Sequence, residues 1–380
     1  MTDRNIPKLR FPGFTDEWKK CRLGDIADIT MGKMDANAMK EDGKFDFYTS
    51  GMQKFKIDVP AFEGPAITIA GNGSAVGSMH MADGKFNAYQ RTYVLNNFSA
   101  DREFLFYEIG NRLPEKIRQE VRTGNIPYIV MDTLTDLVVS VPDINEQKKI
   151  GTCFHNLDSL IDLYRCRLDE LNELKKGLLQ KMFPRKGKNV PELRFPGFTE
   201  PWKRHNLGEI VSFMDAQRKP LEESDRAKGQ YPYYGASGIV DYVADYIFDE
   251  ELILLGEDGS NIIYRNFPVC FLASGKYWVN NHVHVLKAEP NMDNNFICIS
   301  LEKKDYSRYS TGIGMPKLTQ NACSKIPVMC PSYLEQKKIG DHFRNIANLI
   351  KLYQRKLEEM NKLKKGLLQQ MLEKKKKRKV

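Results

Sequence analysis

The sequence predicts an α+β fold written twice: two globular domains alternate with two long helices that pair as a coiled coil, giving a pseudo-two-fold internal repeat. Three observations carry this prediction. Residues 7–26, PKLRFPGFTDEWKKCRLGDI, return at 191–210 as PELRFPGFTEPWKRHNLGEI, identical at 13 of 20 positions. Residues 146–183 return at 335–372, identical at 23 of 38. The stretches between, about 27–145 and 211–334, keep only sparse echoes, such as Gly71-Asn72-Gly73-Ser74 against Glu257-Asp258-Gly259-Ser260. Two domains holding the same target would have contents as alike as their frames. Similar frames around dissimilar contents therefore imply one symmetric scaffold presenting two different binding surfaces.

The 380 residues suit two or three domains, each able to bury its own core. The repeats divide them into a first domain at 1–145, a helix at 146–184, a second domain at 185–334, a second helix at 335–372 and a basic tail at 373–380. Inside the domains, Ala66-Ile67-Thr68-Ile69-Ala70, Tyr93-Val94-Leu95, Leu252-Ile253-Leu254-Leu255 and His282-Val283-His284-Val285-Leu286 read as strands. Asn72-Gly73 and Asp83-Gly84 mark turns, and Glu103–Gly110 and Asn295–Leu301 read as short helices. Asp143-x-x-Glu146 after Pro142 and Ser332-x-x-Glu335 after Pro331 are capping-box patterns that open the long helices.

In the long helices the apolar positions step by three and four. The seam runs through Ile150, Phe154, Leu157, Ile161, Tyr164 and Leu168, continuing to Leu171, Leu174, Leu178 and Met182. Its copy runs through Ile339, Phe343, Ile346, Ile350, Tyr353 and Leu357, continuing to Met360, Leu363, Leu367 and Met371. A helix of this length with a single apolar stripe is unstable alone in water, and the other copy is the obvious partner. Gly177 and Gly366 interrupt matching positions, as a close helix crossing or as glycines tolerated near a fraying end.

No run of 18 apolar residues spans a membrane, and the charged start of the chain lacks the apolar core of a secretion signal. Seven scattered cysteines without a CxxC pair read as reduced thiols in a cytosol, with no metal expected. The net charge of +9 favours a polyanionic partner. Gly71–Gly77 follows a strand, but the residues after it suggest a hairpin, which leaves no helix N-terminus to hold a nucleotide phosphate. Asn125-Ile126-Pro127-Tyr128 is one residue away from the Asn-Pro-Pro-Tyr of adenine methyltransferases, and its counterpart reads Gly314-Met315-Pro316-Lys317. His282 and His284 alternate along a strand with no third ligand evident, which suits a packed or DNA-contacting histidine better than a metal site. No catalytic residues and no resident cofactor are expected.

Clusters suited to nucleic acid remain. The first domain offers Lys54, Lys56, Asn72, Ser74, Lys85, Gln90 and Arg91. The second offers Arg218, Lys219, Asn261, Arg265, Lys276, Asn280, Asn281 and Lys317 among tyrosines and Trp278. Arg and Lys engage phosphates or guanine edges, and Asn and Gln pair with adenine. The tail from Lys374 to Val380 is either a native basic end or an appended tag resembling a nuclear localisation peptide.

Two variable domains, each entered through Leu-Arg-Phe-Pro-Gly-Phe and a Trp, alternate with two segments opening Glu-Gln-Lys-Lys-Ile-Gly. This plan resembles the specificity subunit of type I restriction-modification systems over about Pro7 to Leu372. The resemblance implies one target-recognition domain for each half of a bipartite, asymmetric duplex DNA site, and the two helices packed as an antiparallel coiled coil that serves as a spacer. It also implies two modification subunits and restriction subunits as partners, which would bring S-adenosylmethionine, ATP and Mg to a non-catalytic bacterial or archaeal chain. The competing reading is a protein–protein adaptor built on a coiled-coil rod.

Overall fold

The computed structural model describes residues 6–120, 127–312 and 314–373. The basic tail at 374–380, and Asn125 and Ile126 of the methyltransferase-like tetrapeptide, lie outside the described residues. The chain divides into two units, Met1–Arg165 with Arg355–Val380, and Cys166–Gln354.

In the first unit the entry strand Lys19–Arg22 pairs antiparallel with the exit strand Val138–Val141, Lys19 opposite Val141. Between them lie two four-stranded sheets. One is antiparallel, in the order Asp28–Met31, Thr92–Asn96, Ala66–Ala70, Met79–Ala82. The other is mixed, in the order Lys54–Ile57, Phe45–Tyr48, Lys85–Ala88, Phe62–Glu63, with the middle pair parallel. Every residue of Ala66–Ala70 is buried because the strand is covered on both faces. Ile67 and Ile69 join Phe104, Leu105, Ile109 and Leu113 of the helix Arg102–Glu120, while Ala66 joins Tyr48, Phe86 and Ala88 of the second sheet. That helix runs well past the expected end at Gly110, through Pro114, since Leu113 still has a core to bury against.

The second unit repeats this topology strand for strand. Lys203–Asn206 pairs with Pro327–Cys330. The antiparallel sheet runs Val211–Phe213, Val283–Ala288, Leu252–Gly256, Cys270–Ala273, and the mixed sheet Gly238–Val243, Lys228–Gly235, Lys276–Val279, Phe248–Asp249. Ile253 and Leu255 face Phe296, Ile297 and Leu301 of the helix Asn294–Glu302, while Leu252 and Leu254 face Tyr277 and Val279. The dissimilar contents thus share one fold. The pattern of burial, with these two central strands buried throughout, is what the two halves keep in place of residue identity.

The repeated motifs form a clamp beneath each unit. Arg10 donates through Nε and Nη2 to both carboxylate oxygens of Glu146 (2.8 and 2.6 Å), and Arg194 does the same to Glu335 (2.9 and 2.6 Å). Both glutamates are fully buried, which is tolerable only because a bidentate guanidinium satisfies them. The capping-box expectation is corrected here: these carboxylates face the arginines, while the Asp143 side chain accepts from Asn145 N (2.8 Å). Gln147 donates to Pro142 O and accepts from Asp101 N, as Gln336 does with Pro331 O and Asp293 N. A Cβ on Gly151 would come within 2.8 Å of Phe104 N, and one on Gly340 within 2.4 Å of Asp293 Oδ1, so only glycine admits the domain helix here.

The long helices span Ile144–Lys181 and Tyr333–Met371. In the first unit, Met371 and Leu372 from the end of the second helix share a core with Ile150, Phe154 and Leu157 from the start of the first. Lys364 pairs there with Asp158, and Leu9 N donates to Gln370 O (2.9 Å). In the second unit, Met182 and Phe183 pack with Ile339, Phe343 and Ile346, and Leu193 N donates to Lys181 O (2.9 Å). Start against end, in each unit taken by itself, is the sense an antiparallel pair requires. Ile161 is also buried, and Tyr164, Leu168, Ile350, Tyr353 and Leu357 are half-buried. Leu174 and Leu363, expected in the seam, are 51% and 45% exposed. Their spacing marks a helix face, but burial depends on what lies opposite that face. Gly177 and Gly366 have open space where a Cβ would stand, which removes the close-crossing explanation.

Candidate nucleic-acid interface

In each unit the loops between the strands meet at one edge, where main-chain hydrogen bonds lock them together. In the first unit Gly71 N donates to Arg91 O (2.7 Å), Gly73 N to Pro127 O (2.9 Å) and Ile129 N to Gly71 O (2.9 Å). In the second, Glu257 N donates to His282 O (2.9 Å), Gly259 N to Pro316 O (3.0 Å) and Leu318 N to Glu257 O (2.7 Å). The bridge between Asn72 and Tyr128 has its counterpart between Asp258 and Lys317. Gly73 and Gly259 adopt φ of +86° and +103°, so glycine persists where its neighbours have diverged.

On this common backbone the two units present different side chains. At the edge of the first, Asn72 accepts a short hydrogen bond from Ser50 Oγ, Ser74, Gln90 and Arg91 are exposed, and Lys54 lies 5.7 Å over the Tyr48 ring. At the edge of the second, Asn281 and Ser260 are exposed, Asn280 accepts from His282 N (2.9 Å), and Lys317 reaches Glu257 at 3.3 Å. Lys219 is exposed while its carbonyl accepts from Trp278 Nε1 (2.6 Å). His282 Nδ1 lies 2.8 Å from Asp258 Oδ2. Gln90, Arg91 and Asn281 have the donors and acceptors that read adenine and guanine edges, and Asp258 can accept from cytosine.

Other candidates lie away from these edges or are occupied. Lys85 and Lys276 begin the strands Lys85–Ala88 and Lys276–Val279, about 10 Å from the loops that end them. Lys276 stacks 4.5 Å over Tyr246. Lys56 is paired with Asp46 at 2.8 Å. Arg218 is spent on Glu257 (2.6 Å), Val283 O (2.7 Å) and Asp215 O (3.1 Å), a brace beneath the edge. Arg265, at φ +57°, pairs with Glu302 at 2.9 Å, and Asn261 bonds both main-chain groups of Phe267. Ser50, Tyr128 and Asp258 occupy the edges without having been singled out for them, and His282 stands there as the DNA-contacting reading of its strand allowed. The echo of 71–74 in 257–260 was the signal that could have found Asp258.

Beneath the second edge, His284 is buried with Nδ1 2.6 Å from Asp215 Oδ2 and Nε2 2.7 Å from Leu318 O. Both neighbours are acceptors, so only the doubly protonated ring satisfies both. Burial acts to lower this imidazole, but hydrogen bonds to Asp215 and Cys323 prevail and raise it to about 10. The cation ties the 215–218 segment to the strap that leaves Lys317.

A protein with two topologically equal domains, joined by long helices and carrying unlike polar edges, belongs to the class of paired recognition modules. The type I restriction modification DNA specificity domain matches residues 15–173 and again 199–362, so the chain belongs to that family. The Escherichia coli type I restriction enzyme EcoDI specificity subunit is 31% identical over 54% of this chain, in an alignment that spans 44% of that relative's length. The MjaVIII specificity subunit of Methanocaldococcus jannaschii is 24% identical over 96% of this chain and 93% of its own. The crystal structure of a type I restriction-modification S subunit from M. genitalium shares the fold, with a TM-score of 0.78 at 18% identity over 98% of this chain and all of that one.

Proposed function

We propose that this chain is the DNA-reading subunit of a type I restriction-modification complex, each unit reading one half of a bipartite, asymmetric duplex site. The observation that carries the reading is the pair of edges: identical loop-to-loop hydrogen bonds support Asn72, Arg91 and Tyr128 in one unit and Asp258, His282 and Lys317 in the other. A scaffold duplicated with its main chain intact and its polar side chains exchanged reads two different sequences in one manner. The chain itself is non-catalytic in this reading. Two modification subunits would bring S-adenosylmethionine and restriction subunits ATP and Mg, in the cytoplasm of the host cell.

Mapping methylated adenines genome-wide in cells with and without the gene tests the proposal. The expected result is one asymmetric bipartite motif, with two short specified blocks around an unspecified spacer, that disappears with the gene. Loss of no motif, or of a continuous one, contradicts it.

A further inference from the structure

In the second unit a cleft of about 990 Å³ opens between the end of the first long helix, the segment after it and the strand Pro327–Cys330. Its lining includes Lys186, Lys188, Arg204, Lys303, Lys304 and Arg308, and no carboxylate. Arg185 also lines it but is held by Glu192 at 2.7 Å. The floor is aromatic: Phe183 and Trp202 contact each other edge to face, and Lys303 lies 4.4 Å over Phe183 while donating to Leu179 O. Burial, then the neighbouring Lys304, lowers Lys303 to about 8, and burial, then Arg204, lowers Lys304 as well. Lys303, Lys304 and Arg204 thus stand close enough to disfavour one another's charge, a cost that an anion in the cleft would relieve.

The equivalent cleft in the first unit, of about 630 Å³, is charge-balanced among the described residues. There Arg112, Lys116 and Arg118 share the lining with Glu115, Asp136 and Glu373, and Arg112 is satisfied by Glu108 at 2.9 Å. Among the described residues the excess of cations is confined to the cleft of the second unit.

We infer that the cleft of the second unit binds the phosphodiester backbone of duplex DNA flanking the half-site that this unit reads. Two features select this occupant. The residues Lys303 to Arg308 run on within one short stretch into Thr311 and Lys317 of the recognition edge, so the cleft and the edge are successive stations on one chain segment. The lining itself places lysines and arginines together with no carboxylate between them, Asp305 being turned to Ser307 N (3.0 Å), and so matches a row of phosphates, whereas an acidic protein surface would be met by a mixed rim. The inference rests on the DNA-reading proposal, and its test separates the two.

The test uses the full chain with its co-expressed partner subunits and two duplexes that carry the mapped site, one with and one without about ten flanking base pairs beyond this half. The variant is Lys186→Gln, Lys304→Gln and Arg308→Gln together, sparing Lys303 because it also braces Leu179. Affinity is measured against salt concentration, with circular dichroism confirming folding and size-exclusion chromatography confirming assembly. The wild type should prefer the flanked duplex by at least tenfold. The variant should lose that preference, keep the recognised sequence, and show a salt slope shallower by about 2.7, or 0.9 for each lost phosphate contact. An unchanged slope with an unchanged flank preference overturns the inference while leaving DNA reading intact, and so does a variant that fails to assemble with its partners though folded. No specific binding of either duplex by the wild type defeats the DNA-reading proposal itself.

Discussion

At the scale of single residues, the repeated motifs act as a fastening. Arg10 and Arg194 each neutralise a buried glutamate, so removing the cation leaves an uncompensated charge. Arg10→Ala should destabilise the first unit by about 3–5 kcal/mol. The double variant Arg10→Ala, Glu146→Gln should recover most of that, and hydrogen exchange resolved by peptide would show whether the loss stays in the first unit. His284 gives a second prediction, in pH. Its folded value is raised, so its stabilisation is fully present below about 6.5 and is lost as pH rises through about 10. Stability of the second unit should fall between those limits more steeply in the wild type than in His284→Asn, by urea denaturation at successive pH values. An identical pH slope in the two would show that the ring is not a cation. Beforehand only the packing of His284 was readable, not its charge or its partners. The motif Glu-Gln-Lys-Lys-Ile-Gly was visible as a repeat, but Glu146 sits 136 residues from Arg10, and helix-start spacing suggested a capping role that the arginine overrides.

The elements were more legible. The strands at 66–70, 93–95 and 252–255 were marked by their apolar runs, because a strand covered on both faces needs apolar residues at successive positions, and the segment read at 282–286 falls on the strand Val283–Ala288 but begins one residue early, at exposed His282. The helix 102–120 was read too short because Gly110 and Pro114 look like stops, whereas tertiary burial of Leu113 carries it through. The seams were read as unbroken, whereas Leu174 and Leu363 keep the spacing without the burial and burial returns at Met182 and Met371. Leu174→Gln should therefore cost under about 0.5 kcal/mol, as at other exposed positions, against about 3–5 for Phe154→Ala. Gly177→Ala, entering open space, should stabilise the helix by up to about 1 kcal/mol. Chemical denaturation of the three variants checks this order, and a destabilising Gly177→Ala would restore the close crossing.

For the whole molecule, duplication was the most readable property of all, because it needs no structure to see. What the sequence could not show is that the dissimilar stretches fold alike, since burial pattern and main-chain hydrogen bonds survive substitutions that erase identity. Nor could it separate Arg91, exposed at an edge, from Arg218 and Arg265, which brace loops: all three are arginines near turns, and only their partners distinguish them. The central claim is that the two edges read DNA independently from one repeated scaffold. Exchanging residues 211–330 for the equivalent segment of another family member, then mapping methylated adenines in cells carrying the chimera with its partner subunits, tests this most directly. Independent reading predicts a motif in which one half is replaced by that of the donor and the other half is unchanged. A motif altered in both halves would contradict it.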